Sequence, residues 1–149
     1  MPSTSIVIQA SPEKVWGMVS DVTRVGEWSP ETVSAEWIEG ASGPAVGARF
    51  KGNNKRKLPW STKCTVIAAD PGRRFAFDVG KGATRWAYDI APAGDGCEVT
   101  ESYELVKYPG ALERSTYKIS TGVSWSGREA DLMQGMQATL QRLKAAAEA

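Results

Sequence analysis

The sequence predicts an α+β domain: a curved antiparallel sheet of seven strands packed against a long C-terminal helix, with two short helices after the first strand. Three observations carry this. Apolar and polar residues alternate in seven separate stretches divided by short connections rich in Gly, Pro and Asp. The chain ends in a stretch whose apolar residues recur at spacings of three and four. Between the first and second alternating stretches, Ser11-Pro12 breaks the pattern and opens helical spacing.

The elements follow in order. Residues 3–9 alternate as a first strand. Ser11 offers the side-chain oxygen of an N-cap, Pro12 suits the first helical position because its missing N–H would have no partner there, and Glu13 lies near the positive helix end. Val15, Trp16 and Val19 form the buried stripe of this helix. Asp21 caps a second short helix that ends near Trp28, before Ser29-Pro30. The period then becomes two, and residues 33–38, 48–57, 60–69, 73–79, 84–91 and 97–105 read as six more strands. Their short connections, GASGPAVG, KLP, DPG, GKG and APAGDG, favour antiparallel neighbours. From 126 to 147, Leu132, Met133, Met136, Leu140 and Leu143 share one helical face, opposite Arg128, Glu129, Gln134, Gln137, Gln141 and Lys144. At about 1.5 Å per residue this helix spans about 30 Å, enough to cross a seven-stranded sheet.

Composition narrows the function. A chain of 149 residues without repeats, linkers or composition breaks reads as a single domain over 1–149, with one core to carry any activity. Lys+Arg 18 against Asp+Glu 17 leaves no field that would gather a polyanion, so no nucleic-acid partner is expected. No basic start, signal-like segment or run of about 18 apolar residues is present, so the expected location is cytoplasmic, without integral membrane association. Cys64 and Cys97 are isolated and expected to be reduced. The chain has no histidine, which removes Ser-His and Cys-His nucleophiles and leaves a zinc site only lone cysteines and carboxylates. G-x-G-x-x-G and G-x-x-x-x-G-K-[ST] are absent too. No cofactor and no metal are expected.

The order of one strand, two short helices, six strands and a long amphipathic helix is that of the helix-grip fold. The stretches ASPEKVWGMVSDVTRVGEWSPE, GARFKGNNKRKLPWSTKCTVIAADPGRRFAF, RWAYDIAPAGDGCEVTESYEL and GMQATLQRLK resemble the START-like (SRPBCC) superfamily, specifically the bacterial polyketide cyclase/dehydrase and lipid-transport family. The resemblance covers nearly the whole chain. It implies an apolar cavity between sheet and helix, and leaves function open among cyclases, dehydratases, lipid carriers and receptors.

Strand phases indicate the lining. Trp86, Tyr88 and Ile90 share one face of their strand, as do Phe75, Phe77 and Val79, and the aromatic phase faces inward. Phe50, Gly52, Cys64, Val66, Val99 and Tyr103 extend that surface, with Met133 and Met136 descending from the helix. The expected ligand-binding residues are Trp28, Phe50, Phe77, Trp86, Tyr88, Glu101, Tyr103, Met133 and Met136; the alternative for each is an ordinary core role. Gly135, mid-helix, relieves contact with the sheet or with a ligand, or serves tight helix packing. Segment 107–124, punctuated by Pro109, Gly110 and Gly122, reads as a long connection with a helical turn that covers the cavity.

Glu101 breaks the apolar phase of its strand. A buried carboxylate is expensive unless paired or protonated. It would serve as a catalytic general acid/base with Tyr103 or Tyr88, or as a hydrogen-bonding group for a ligand hydroxyl. Otherwise it pairs with Arg85 or Arg128, or a bulge turns it outward. The run Lys51, Lys55, Arg56 and Lys57 is the one concentration of charge, either a solvated hairpin tip or a dock for an anionic headgroup or carrier protein. Three functions stay open: a carrier or sensor for a small hydrophobic ligand, a polyketide cyclase or dehydratase, and a protein-interaction module. The expected assembly is a monomer or weak homodimer.

Overall fold

Ser11 opens the first helix as its type requires. Its hydroxyl accepts the Lys14 amide at 3.1 Å and Pro12 takes the first helical position, giving α1 over Pro12–Ser20. The computed structural model describes residues 1–149, and α1 follows strand β1, Ser3–Ile8. Asp21 then accepts the amide and hydroxyl of Thr23 at 3.1 and 2.6 Å and caps a second helix, a 3-10 helix over Val22–Glu27. Gly26 is needed there because a Cβ would meet the Val33 carbonyl oxygen at 2.2 Å.

The remaining strands are β2 (Thr32–Ile38), β3 (Arg49–Lys55), β4 (Pro59–Asp70), β5 (Arg74–Val79), β6 (Thr84–Ala93) and β7 (Gly96–Leu105). They form one antiparallel sheet in the order β1-β7-β6-β5-β4-β3-β2. Each consecutive pair from β2 to β7 is a hairpin, and β1 returns to pair with β7. The aromatic phases meet across this ladder: Phe75 lies opposite Tyr88, Phe77 opposite Trp86, and Trp86 opposite Tyr103. Register shifts between Thr32 and Ser34 and between Val66 and Ala68 are the bulges that bend the sheet.

Segment 107–124 departs from its expected single helical turn. It contains an 11-residue helix, α2, over Ala111–Thr121, ended by Gly122 in the left-handed conformation at φ 79°. Only Thr121 of α2 is buried, while Leu112 and Ile119 are 80% and 63% exposed, so no core-facing stripe announces the helix in the sequence. Ser124 then caps a 3-10 turn, Trp125–Gly127, which delays the last helix, α3, to Arg128–Glu148.

The C-terminal half of α3 closes the core. Leu140, Leu143 and Ala147 are buried in one cluster with Ile8, Val15, Val19 and Val99. Side chains of the same half reach the backbone beside β1: Lys144 Nζ donates to the Val7 carbonyl at 3.0 Å, and the Gln9 amide donates to Glu148 at 2.8 Å. No helix is long and apolar enough to cross a membrane.

Candidate functional site

The N-terminal half of α3 does not pack into the sheet as the C-terminal half does, and reaches it through Arg128 over the Tyr103 ring. Between them lies a cavity of about 720 Å³, with α2 and the 107–110 segment contributing the roof. Its apolar wall comes from the inward phases of β3 to β7, which supply Phe50, Cys64, Phe75, Phe77, Val79, Trp86, Tyr88 and Tyr103. Trp28, Val19 and Val22 close one end, so the two short helices position wall as well as core. The rings interlock edge to face, with centroids 5.1 Å apart for Phe50 and Phe77 and 5.0 Å for Trp86 and Tyr103.

Of the residues singled out from the sequence, Trp28, Phe50, Phe77, Trp86, Tyr88, Glu101, Tyr103 and Met136 lie on this wall. Met133 does not. The cavity-facing stripe of α3 runs through Arg128, Leu132, Gly135, Met136 and Thr139, and at about 100° per residue Met133 is rotated to its side, where it is half-buried. Gly135 is not a tight packing point, since a Cβ there would meet only Pro30 Cγ, at 3.9 Å, in ordinary contact.

Glu101 is 4% exposed and points inward, directly opposite Tyr88 across the β6–β7 ladder. None of the arrangements that would neutralise or expel it occurs. Arg85 is held by Asp78 at 2.8 and 3.2 Å, Arg128 forms no ion pair with it, and β7 pairs through Glu101 on both sides without a bulge. Its Oε1 has no hydrogen-bond partner. Burial pushes the carboxyl up to about 8, and the Tyr88 hydroxyl beside it offsets only part of that rise. At neutral pH the carboxyl therefore mostly holds its proton, a donor in an apolar wall. The Tyr88 hydroxyl is itself raised by burial and by this carboxylate, so both remain protonated. Burial likewise pushes the Cys64 thiol up to about 11, leaving it an apolar wall atom and no nucleophile.

The sequence reading missed the rest of the polar lining. Arg56, one of the basic run, is no free cation: it bonds Asp131 at 3.0 and 3.1 Å and reaches Glu31 at 3.5 Å, joining the end of β3 to the start of α3. Burial raises the Glu31 carboxyl against the pull of Arg56. Asn54, buried on β3, accepts from Thr32 Oγ1 at 2.7 Å and donates to Thr62 Oγ1 at 3.3 Å. Arg128, placed by its helical position on the polar face, is 7% exposed and lies over the Trp125 and Tyr103 rings at 4.3 and 5.2 Å. The signal was present, because Arg128 stands four, seven and eleven residues before Leu132, Gly135 and Thr139.

Comparison with known proteins places this architecture. The family model described as polyketide cyclase / dehydrase and lipid transport matches residues 3–148. No curated protein matches the chain. The solution structure of the polyketide-cyclase-like protein Cgl2372 from Corynebacterium glutamicum is 33% identical, with 96% of this chain and 88% of that chain covered and a TM-score of 0.64. Protein CV1439 from Chromobacterium violaceum shares the fold at 17% identity, with 99% and 96% covered and a TM-score of 0.71. So does the di-domain ARO/CYC StfQ from the steffimycin biosynthetic pathway, at 13% identity and a TM-score of 0.75, where 99% of this chain matches 50% of that one. With a family match from the first strand to the end of the last helix, this chain belongs to the polyketide cyclase/dehydrase and lipid transport family.

Proposed function

We propose that the protein holds a small hydrophobic or aromatic molecule, lipid or polyketide-like, in the cavity beneath α3 and acts as its carrier or sensor. The observation that carries this reading is the cavity itself, about 720 Å³ with an aromatic wall, inside the range of about 300–1,000 Å³ usual for small-molecule sites. Membership of a family that includes lipid transport supports it. Native mass spectrometry of protein purified from its own host tests it: a retained small molecule is expected. Trp fluorescence titrated with fatty acids and flat polyphenols is the second test, since Trp28, Trp60, Trp86 and Trp125 line the space. A chain that retains nothing and responds to neither class is not a carrier of this kind.

Glu101 favours a second reading, a cyclase or dehydratase without metal or nucleotide cofactor. A carboxyl raised to about 8 beside a tyrosine hydroxyl suits proton transfer near neutral pH. The Glu101→Gln variant separates the two readings. Glutamine keeps the shape and cannot exchange the proton, so an enzyme would lose turnover while keeping its ligand, whereas a carrier would change affinity by about 1–3 kcal/mol and have no turnover to lose.

A further inference from the structure

The buried side-chain polar atoms without hydrogen-bond partners belong to two residues, Glu101 and Arg128, and both line the cavity. They do not satisfy each other. A carboxyl that keeps its proton can remain unpaired at modest cost, but a guanidinium does not lose its charge near neutral pH. Arg128 is thus the more demanding group: a permanent cation, 7% exposed, with Nε and Nη1 unpartnered and no ion pair to any carboxylate. The Trp125 and Tyr103 rings stabilise the cation by cation–π attraction and hold its position. They leave the Nε and Nη1 donors, which lie in the guanidinium plane, without acceptors.

We propose that Arg128 anchors the carboxylate of an amphipathic acid whose apolar body fills the cavity between α3 and the aromatic face of β5, β6 and β7. This rests on the cavity-binding reading above and specifies the ligand class. The charge balance favours a monoanion over a phosphate dianion. Arg56 is already taken by Asp131 and Glu31, Lys107 is committed to the Lys81 carbonyl at 2.7 Å, and Glu31, Glu113 and Asp131 also line the space. Beside Glu101, the three lining cations and the three lining carboxylates balance, so a dianion would leave the space strongly negative, and Arg128 is the lining cation with buried donors unmet. Tyr103 under the guanidinium and Trp86 opposite it continue the wall away from Arg128, so an acid held there would lay its hydrocarbon along them. Glu101 stands two residues before Tyr103 on the same face of β7, placed to meet a second polar group deeper in the ligand.

The test uses two probes with one aromatic body, 1-pyrenebutyric acid and its methyl ester, titrated by fluorescence against wild type, Arg128→Met and Arg128→Lys. Wild type should bind the acid at least about tenfold more tightly than the ester, the scale of a charge-assisted hydrogen bond. Arg128→Met should bring the acid-to-ester affinity ratio close to one, and Arg128→Lys should leave it in between. Equal affinity for acid and ester in wild type, or an unchanged ratio in Arg128→Met, overturns the carboxylate anchor while the cavity reading stands. Binding of neither probe to wild type removes both. If Arg128→Met does not fold, the wild-type ratio and Arg128→Lys still decide.

Discussion

The two halves of α3 face the same sheet and do opposite things. Beyond Leu140 the helix lays Leu140, Leu143 and Ala147 into a filled core with Ile8 and Val99. Before it, Arg128, Leu132, Gly135, Met136 and Thr139 border open space. Both halves are regular helix, so the difference lies in the side chains. Leucines and an alanine at core spacing interdigitate, whereas on the other stripe a glycine and a threonine remove bulk and a charged residue does not pack into an apolar gap. An internal cavity is kept open here by what one stripe omits, while the neighbouring stripe supplies the stability.

The sharpest test of this contrast is truncation on each side. Leu143→Ala should destabilise the fold by about 3–5 kcal/mol in urea unfolding, because it opens a void in a sealed core. Leu132→Ala, beside space that is already open, should cost about 1 kcal/mol or less. Similar losses at the two positions would mean that the cavity collapses in solution.

Glu101 sets the second largest effect, and its sign is fixed by the raised carboxyl. The folded protein holds this proton up to about 8, against an ordinary value of 4.5. Stability from this group is therefore full below about 4.5 and is lost as pH rises toward about 8. Between pH 5 and 8.5 the advantage of Glu101→Gln over wild type should grow by about 2–4 kcal/mol. A constant difference across that range would show the carboxylate to be solvated or paired in solution.

Smaller effects refine the comparison. Gly135→Ala should stabilise the apo fold by about 0.5–1 kcal/mol in thermal unfolding, since alanine is the better helix former and its Cβ has room. The same methyl intrudes on the cavity and should weaken a bound probe such as 1-pyrenebutyric acid. Ile119→Ser on the exposed face of α2 should change stability by less than about 0.5 kcal/mol, and α2 amides should exchange faster than those of α3 beyond Leu140, as expected of a roof with one buried residue.

These contrasts also show where the sequence was readable. Strand phase has a period of two, so one buried aromatic fixes its whole face; the inward placement of Phe77, Trp86, Tyr88 and Glu101 follows from alternation alone. Helix phase is softer. The apolar spacing of α3 identified its core stripe correctly at Leu140 and Leu143, but a second, mixed stripe at Arg128, Leu132, Gly135 and Thr139 faces the cavity, so Met133 was assigned to a wall it does not reach and Arg128 to the face opposite the apolar stripe. Hydrophobicity reports what is buried against protein, and a cavity wall need not be hydrophobic throughout. The helix α2 left the weakest trace, because its exposed Leu112 and Ile119 obey no core periodicity.

The contacts that Lys144 and Glu148 make beside β1 have a consequence for aggregation. A seven-stranded open sheet has two edges, and each is a template for another strand. At β1 the Val7 carbonyl is occupied by Lys144, and the adjoining Gln9 amide by Glu148, so an incoming strand would have to displace α3 side chains. The other edge, β2, is broken by its bulge at Thr32–Ser34. Strand addition there would pair the β2 edges of two molecules and leave each β1 edge guarded at Val7 and Gln9. The process would stop at a pair and could not run on into a fibre.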